Sequence, residues 1–402
     1  MIEQPVTGTS KITAIDILGA TYRTNPGYSI VPAERNSAGT DVNTGMDDGS
    51  DSYGALEPRP GSGLEPRSIS TDTALLVLTL QTPGPIPGYA VRNAESNIVK
   101  AIQRLVLDGV LQVLHGGEFV SGPLAAPLFT APGQPAGQSG VRDLSVAALR
   151  YGQELLWLNE RDLTLRLYFY GRQALAPDLD REFGDPDVLE QDLGLTSNGS
   201  LQRVLGSQWF RLPGVEGVHE HWWQWGRRPS SSARPPAGGP TYKLYVSPSV
   251  SEIHNALGEV AAAMATARGA TGFKVGAGLE GICRPDKIVV YFPQLDDLRR
   301  FGWLLSERLG GCAAHGVPFT AEVSADRLLS WGVDPPVTGH GDGSRRTSWR
   351  MWVAGRLAEH LKQASDAQLP GQQPWQYALA RLGVGGIDTE TWIPVDMAWP
   401  EL

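Results

Sequence analysis

The chain has 402 residues, with 43 Asp and Glu against 34 Lys and Arg, so its formal charge at pH 7 is −9. This acidic balance argues against a general binder of nucleic acid or of anionic membranes, because those partners need a basic face. The two cysteines exclude a disulfide scaffold and favour a reducing compartment. No apolar run reaches the roughly 20 residues that span a bilayer, and residues 1–5 lack a signal-peptide pattern, so we predict a cytoplasmic protein.

The N-terminal part of the sequence predicts four segments. Residues 12–18 form a short strand or helix. Residues 32–70 are rich in Gly, Asp, Ser and Pro with few apolar side chains, so we predict a flexible insertion there. The continuous apolar run 74–80 has the length of a buried strand, and residues 93–113 keep one face apolar, as a helix does.

The middle of the chain adds a helix at 141–158 and an alternating pattern at 163–170 that predicts a strand. The run 218–225 is dense in tryptophan, which offers aromatic surface to an extended peptide. We therefore assign peptide binding to three residues, Trp222, Trp223 and Trp225; the alternative is that these tryptophans belong to the core. Residues 227–240 are rich in Arg, Pro, Ser and Gly, which predicts a disordered loop that separates an N-terminal region 1–226 from the rest.

After this loop, strand and helix patterns alternate. The predicted order is strand 241–247, helix 251–268, strand 273–275, a Gly-rich turn, strand 287–292, helix 294–309 and strand 317–323. A C-terminal helical, Trp-rich segment, 341–402, includes helices at 348–364 and 374–382. These elements predict an α+β fold, with a mixed sheet and flanking helices in a core at 241–340, together with an N-terminal α/β region and this C-terminal helical segment.

Four basic residues lie within these predicted strands or beside them: Lys243, Lys274, Arg284 and Lys287. A strand inside a domain carries a cation only when the charge meets an anion or a cavity. The four residues are therefore candidates for one shared anion site. In the alternative interpretation, Lys243 and Lys287 extend to solvent at strand edges and Arg284 pairs with Asp286.

The segment 276–281 matches G-x-G-x-x-G and follows a strand. A dinucleotide site needs a helix to begin at the last glycine, whereas another strand is predicted here. A kinase-like glycine loop would need a metal-binding Asn five residues after Asp342, where Thr347 stands. A flexible hairpin turn is the favoured interpretation.

Two further patterns have limited support. His219 and His221 could hold a metal ion from one strand face, but no further ligand lies at the expected spacing. Cys283 next to Arg284 could act as a nucleophile, although a buried, inert cysteine is the commoner case. No serine-hydrolase signature occurs.

Taken together, three segments resemble the HopA-type effector family. They are 242–248, 273–275 with 284–291, and 317–320 with 331–335. Homologues of that family occur in gene clusters for lanthipeptides and thioamide-containing peptides, and the family is similar to phosphothreonine lyases and to the lyase domains of lanthipeptide synthetases. The resemblance covers about residues 241–336.

The resemblance implies β-elimination of phosphate from phosphoserine or phosphothreonine in a precursor peptide, without a metal or organic cofactor. Lys274 takes the position of the catalytic base, and Lys243 and Arg284 those of phosphate ligands, to which we add Lys287. The family's acidic His is replaced by Tyr245, which would have to donate the proton although its ordinary pKa of about 10 makes it a weaker acid.

Two hypotheses follow from these observations. The first is a phosphoserine/phosphothreonine lyase that acts after a partner kinase, and the second is a non-catalytic scaffold for the precursor peptide and that kinase. The region 1–226 would bind the peptide or the partner. Neither hypothesis requires nucleic acid or a membrane.

Overall fold

The computed structural model describes ten segments of the chain, residues 14–32, 52–93, 98–129, 140–175, 177–213, 222–228, 240–267, 269–335, 347–367 and 372–395. It has an α+β fold, as the sequence predicts. No helix within these segments is long and apolar enough to cross a membrane.

In chain order the elements are α1 (Ala14–Gly19), β1 (Tyr22–Thr24), β2 (Tyr28–Pro32), β3 (Ser52–Pro58), β4 (Arg67–Ser70), α2 (Thr71–Thr79), α3 (Gly88–Asn93), α4 (Ile98–Leu107), β5 (Leu111–His115), β6 (Glu118–Val120), α5 (Ala126–Phe129), α6 (Gly140–Gln153), α7 (Glu160–Tyr168), α8 (Pro177–Phe183), α9 (Pro186–Asp192), α10 (Ser200–Leu205), β7 (Trp209–Arg211), β8 (Trp222–Arg227), β9 (Tyr242–Val246), α11 (Ile253–Thr266), β10 (Gly272–Gly276), α12 (Gly278–Ile282), β11 (Ile288–Phe292), α13 (Leu295–Arg308), β12 (Ala321–Glu322), β13 (Leu329–Val333), α14 (Trp349–Asp366), α15 (Pro374–Val384), β14 (Ile387–Asp388) and β15 (Ile393–Pro394).

The chain divides into two compact units. The smaller is built from the described residues within Met1–Gln134 and Asp366–Gly385. It holds two three-stranded antiparallel sheets, ordered β2-β3-β4 and β1-β5-β6, with small apolar cores around them. The larger unit comprises the remaining described residues, so the boundary predicted at 227–240 falls inside it.

A seven-stranded sheet forms the centre of the larger unit, in the order β12-β13-β9-β11-β10-β8-β7. Every pairing in it is antiparallel, where a mixed sheet was predicted. Because β8 pairs with β10 and β7 pairs with β8, residues from before the predicted loop complete the sheet that continues after it.

The two faces of this sheet differ in chemistry because successive side chains of a strand point to opposite sides. One face is apolar and belongs to the main core, in which α11 and α13 also bury apolar side chains. The other face carries Lys243, Tyr245, Lys274 and Tyr291, and it holds the candidate site described below.

Two segments predicted as strands are helices. The run 74–80 lies in α2, whose N-cap Ser70 accepts a hydrogen bond from the Thr73 amide, and a fully apolar run does not reveal its own period. The segment 163–170 lies mostly in α7, where Leu163 and Leu167 are buried one turn apart and Leu165 is exposed.

The flexible insertion predicted for 32–70 is wrong from Ser52 onward. Residues 52–58 and 67–70 form β3 and β4, and Leu56 and Ile69 are buried in a small core with Tyr28. A few buried apolar residues are enough to order this segment, because the pairing of its strands satisfies the backbone hydrogen bonds. Residues 33–51 lie outside the described segments.

The Gly-rich segment 276–281 is a packed helical turn and not a flexible hairpin turn. Helix α12 begins at Gly278, which has a φ of 65°. A Cβ on Gly276 would lie 2.3 Å from the Gly281 carbonyl oxygen, so the two backbones approach each other too closely for a side chain.

Candidate functional site

The strand register brings Lys274 and Tyr245 into one row across the polar face. Lys274 lies opposite Val289 of β11, which in turn lies opposite Tyr245 of β9. Lys243 and Tyr291 form the neighbouring row. Since adjacent strands are about 4.8 Å apart, these side chains project into one region of the face.

Lys274 has the environment of a general base. Its side chain is half-buried, and its Nζ lies 3.6 Å from the ring centroid of Trp222. Among the described residues it has no recorded hydrogen bond or ion pair. Burial lowers the pKa of Lys274 to about 7, and the positive charges of Lys243 and Arg284 add to this effect, while Asp286 opposes it. A substantial fraction is therefore a neutral amine near pH 7.

Arg284 is fixed by a carboxylate two residues away. Its Nε and Nη2 donate to Asp286 at 2.9 and 3.1 Å, and Nη2 also donates to the Tyr168 hydroxyl at 3.0 Å. The guanidinium stacks over Trp222, 4.7 Å from the ring centroid. Trp222 therefore contacts both Lys274 and Arg284, and it holds the two cationic groups near each other.

Arg350 is a site residue that the sequence analysis missed. It lies in the first turn of α14, is 1% exposed, and its Nη1 is 3.0 Å from Asp286. Among the described residues this Nη1 has no hydrogen-bond partner, so its contact with Asp286 is counted as an ion pair. Burial raises the pKa of Asp286, but the charges of Arg284 and Arg350 outweigh it and hold that pKa well below its ordinary value.

Lys243 is also paired. Its Nζ lies 2.6 Å from Asp334, which follows β13 and accepts a hydrogen bond from the Trp349 amide at 3.0 Å. Both side chains are nearly buried, at 12% and 11% exposure, so the pair is only weakly screened by solvent. Asp334 thus ties the cation on β9 to the start of α14.

Tyr245 is fully buried on this face, as is the hydroxyl of Ser330, its neighbour in the same row. Burial raises the pKa of Tyr245 well above 10, and the negative charge of Asp334 adds to the rise. Tyr245 therefore stays protonated. The Ser330 Oγ has no hydrogen-bond partner among the described residues.

The basic cluster, as we call this arrangement, comprises Lys243, Lys274, Arg284 and Arg350 with the carboxylates Asp286 and Asp334. Four basic groups face two acidic ones, so the cluster carries an excess of positive charge even when Lys274 is neutral. Such an arrangement can bind an anionic group next to an amine that is able to accept a proton.

Lys287, a predicted phosphate ligand, is not part of the basic cluster. It is fully buried, and its Nζ donates to the Pro248 carbonyl at 2.5 Å and lies 2.8 Å from His315 Nδ1. Burial lowers the pKa of Lys287 to about 7 and that of His315 to about 4. With its ammonium engaged inside the fold, Lys287 cannot reach an anion in the basic cluster.

Trp223 and Trp225, predicted to bind a peptide, lie in the core. Trp225 is 1% exposed and stacks on Phe273 with the ring centroids 4.8 Å apart, and Trp223 is buried on the same apolar face. Strand alternation places only Trp222 on the polar side. His219 and His221 lie outside the described segments, and no metal-binding group of His, Cys, Asp or Glu occurs within them.

Both cysteines are buried, and burial raises the pKa of each thiol. A raised pKa disfavours the thiolate, so neither residue has the environment of a nucleophile. Cys283 is fully inside the core although its neighbour Arg284 is a site residue.

A cavity of about 770 Å³ adjoins the basic cluster at Phe169, whose ring packs against Arg284. Two further aromatic residues, Tyr151 and Tyr170, also line this cavity and contact each other with their ring centroids 5.4 Å apart. A second cavity, of about 660 Å³, lies elsewhere, beside β12 and Trp303.

No protein-family model and no curated protein matches the chain. Two solved effector proteins, from Pseudomonas syringae pv. tomato and pv. syringae, are similar to it with 10% and 13% identity and TM-scores of 0.37 and 0.39. The matches cover 63% and 62% of this chain, and 97% of each effector. A phosphothreonine lyase has 14% identity and a TM-score of 0.27 over 46% of this chain and 88% of its own. Such values assign no activity to this chain.

Proposed function

We propose that the protein is a phosphoserine/phosphothreonine lyase, which eliminates phosphate from a phosphorylated peptide and leaves a dehydroamino acid. The observation that carries this proposal is the Lys274 amine, which has a pKa of about 7 and no partner among the described residues, beside the fixed cations Arg284 and Lys243. A base and an anion site within one cluster are what this elimination requires.

In the proposed step the neutral Lys274 amine removes the proton from Cα of the phosphorylated residue. The electron pair of the C–H bond forms the Cα–Cβ double bond, and the Cβ–O bond breaks so that the phosphate leaves with its bonding electrons. Lys274 then returns its proton to water. No oxidant, reductant or second substrate is needed.

Arg284 and Lys243 would stabilise the leaving phosphate. Arg284 uses Nε and Nη2 to bind internal groups, and no hydrogen bond engages its Nη1 within the described residues, so this nitrogen can donate to an anion. Lys243 has one internal carboxylate and three donors. Because Asp286 and Asp334 fix both cations in advance, little reorganisation accompanies phosphate departure.

Tyr245 would act as a hydrogen-bond donor and not as a strong acid. A phenol with a pKa well above 10 holds its proton more tightly than a free tyrosine. It can still donate to the ester oxygen, together with the hydroxyl of Ser330, which has no hydrogen-bond partner within the described segments. The phosphate group of the substrate has a pKa of about 6. When it carries one proton it leaves as hydrogen phosphate, and no further acid is needed.

The peptide on either side of the phosphorylated residue would lie in the aromatic cavity that begins at Phe169. The substrate hydroxyl must be phosphorylated beforehand, so a partner kinase is part of the proposal. The sequence resemblance extends the substrate to a ribosomal precursor peptide of lanthipeptide-type biosynthesis, with dehydroalanine or dehydrobutyrine as the product.

The test is mass spectrometry of a phosphoserine peptide incubated with the purified full chain, without added metal or nucleotide. We expect loss of phosphoric acid and a product that adds a thiol. Lys274→Ala should abolish this loss while the peptide still binds, because the anion ligands remain. Lys100→Ala, which removes a lysine of the smaller unit, is the matched control and should be fully active.

Other outcomes would count against the lyase. If wild-type protein binds the phosphopeptide and leaves it intact, the scaffold hypothesis replaces the lyase proposal. Arg284 and Lys243 would then serve for binding only, each already paired with an internal carboxylate. If elimination occurs equally in Lys274→Ala, the role of this amine is wrong.

A further inference from the structure

The polar face of the seven-stranded sheet continues from the basic cluster to the edge strand β7. The register places Phe210 of β7 opposite Gly226 of β8, and Gly226 opposite Gly272 of β10. Gly272 in turn lies opposite Tyr291 of β11, which is paired with Lys243. One row of paired residues therefore runs from Lys243 to the edge of the sheet, with its side chains on one face.

Two neighbouring positions of this row, Gly226 and Gly272, have no side chain and are partly exposed. A Cβ on Gly226 would lie 3.3 Å from Phe210 Cζ and 3.4 Å from Leu212 Cδ2. On the inner side, a Cβ on Gly272 would lie 3.8 Å from Tyr291 Cδ2. The two glycines are thus a shallow depression between side chains, and we call Phe210, Leu212, Gly226 and Gly272 the glycine floor.

The outer edge of the glycine floor exposes apolar surface. Strand alternation buries Trp209 in the main core, where it is 2% exposed, and leaves Phe210 on the polar face. Phe210 and Leu212 are each 37% exposed. Because both side chains approach Gly226, their exposed parts form one continuous apolar surface beside the depression, which the side chain of a ligand can cover.

The distance from the candidate base determines which part of a peptide can reach this surface. Lys274 and Gly272 lie on the same strand, β10, and β7 is two strands away in the sheet. At about 4.8 Å per strand, this separation is roughly 10 Å. An extended peptide advances about 3.3 Å per residue, so the third residue from one placed beside Lys274 reaches Phe210.

We propose that the glycine floor binds an apolar side chain three residues from the phosphorylated residue of the substrate peptide. This inference rests on the proposed lyase function, which places the phosphorylated residue at Lys274. An apolar side chain gains free energy when it is buried against Phe210 and Leu212, whereas a charged one would lose water there without an ionic partner in the floor. Phe210 and Leu212 are then specificity-determining residues, and the floor extends the path of a longer peptide beyond the aromatic cavity.

The experiment uses labelled phosphoserine peptides that carry Leu or Ala three residues before or after the phosphoserine. Fluorescence anisotropy gives their Kd for the full chain with Lys274→Ala, which should bind without eliminating phosphate, and initial rates give kcat/KM for the chain with Lys274. In both backgrounds Phe210→Ala and Leu212→Ala are compared with Trp303→Ala. Trp303 is the matched control, because it is an aromatic residue of α13 that is 64% exposed, and α13 packs on the opposite face of the sheet.

Phe210 and Leu212 are partly exposed at the edge of the sheet, so their variants should fold. Each variant also measures the contact separately, so that the test does not depend on one substitution.

We expect the Leu peptide to bind about tenfold more tightly than the Ala peptide at one of the two positions, the effect of burying roughly two further methylene-sized groups. Phe210→Ala and Leu212→Ala should each bring this ratio closer to one, and Trp303→Ala should leave it unchanged. The ratio of kcat/KM values should follow the same order.

Equal binding of the Leu and Ala peptides at both positions overturns the inference, as does a ratio that both floor variants retain or that Trp303→Ala reduces equally. Elimination of phosphate without any Leu preference would leave the lyase intact and remove only the glycine floor. A Leu preference that depends on Phe210, without elimination by any peptide, would support the floor as a phosphopeptide-binding surface and overturn the lyase. If no peptide binds, both proposals fail.

Discussion

At the residue scale, Lys274 of β10 and Lys287, which directly precedes β11, show that the surroundings of a lysine determine its role. Lys274 and Lys287 both have a pKa of about 7, lowered mainly by burial. Lys287 is held by the Pro248 carbonyl and His315, whereas Lys274 meets the Trp222 ring and has no polar partner among the described residues. A similar pKa therefore accompanies a structural lysine in one case and a candidate base in the other.

The pH dependence of elimination should follow the Lys274 amine. Since the base must be neutral, kcat/KM should rise with pH through an apparent pKa near 7 and fall about tenfold for each pH unit well below it. Initial rates measured from pH 5 to 9 with a phosphopeptide at low concentration give this rise of kcat/KM with pH. Lys274→Arg should be inactive at every pH because guanidinium stays protonated. A rate independent of pH over this range would contradict the assignment.

Asp286 should be the most stabilising carboxylate of the basic cluster. In Asp286→Asn, Arg284 and Arg350 lose their shared counter-ion inside the fold, so the free energy of unfolding should drop by about 3–5 kcal/mol. Urea denaturation measures the change. Asp296→Asn, which breaks an exposed pair with Arg299, should cost at most about 1 kcal/mol. Similar losses in both variants would contradict this account.

At the element scale, the turn between β10 and β11 positions Arg284 and Asp286 at the end of the strand that carries Lys274. The close approach of Gly276 to Gly281 closes this turn, and α12 fills it. The geometry of the basic cluster therefore depends on a packed backbone segment that contributes no functional side chain.

Gly276→Ala should consequently destabilise the larger unit by about 2 kcal/mol or more, because its Cβ would overlap the Gly281 backbone. The rate of phosphate elimination should also fall, because the substitution would displace Arg284. Gly258→Ala, in an exposed and unobstructed position of α11, should instead stabilise by about 0.5–1 kcal/mol. Denaturation curves of both variants measure these opposite changes, and a neutral Gly276→Ala would be the contrary result.

At the scale of the whole molecule, buried bases make stability depend on pH. His315 and His360 have pKa values lowered to about 4, and Lys274 and Lys287 to about 7. In each case the unfolded chain binds more protons than the folded one between the lowered pKa and the ordinary value. Stability should therefore rise with pH across both windows, from about 4 to 6.5 and from about 7 towards 10.

Unfolding midpoints in urea between pH 4 and 9 measure this trend. Tryptophan fluorescence reports mainly on the larger unit, since Trp375 is the only tryptophan among the described residues of the smaller one. Lys287→Met should reduce the rise of the unfolding midpoint with pH above pH 7, because it removes one of the two titrating lysines. A stability maximum below pH 7 would contradict the prediction.

The sequence by itself determined the order of strands and helices from β9 to α13, apart from the short helix α12, and three members of the basic cluster. β9 and β10 each combine aromatic and β-branched residues with one lysine, a local pattern that marks Lys243 and Lys274, whereas Arg284 lies between α12 and β11. Local patterns predicted strands where α2 and α7 form. Which residues of these helices are buried depends on neighbours that are distant in the chain.

Only the tertiary structure decided which basic residues meet. The sequence does not distinguish Lys287 from Lys274, because the difference lies in Pro248, His315 and Trp222, which come from other segments. Arg350 could have been noticed as a cation on the apolar face of a predicted helix, but its partner Asp286 is 64 residues away. A pKa and an ion pair are properties of the surroundings, and folding alone assembles those surroundings.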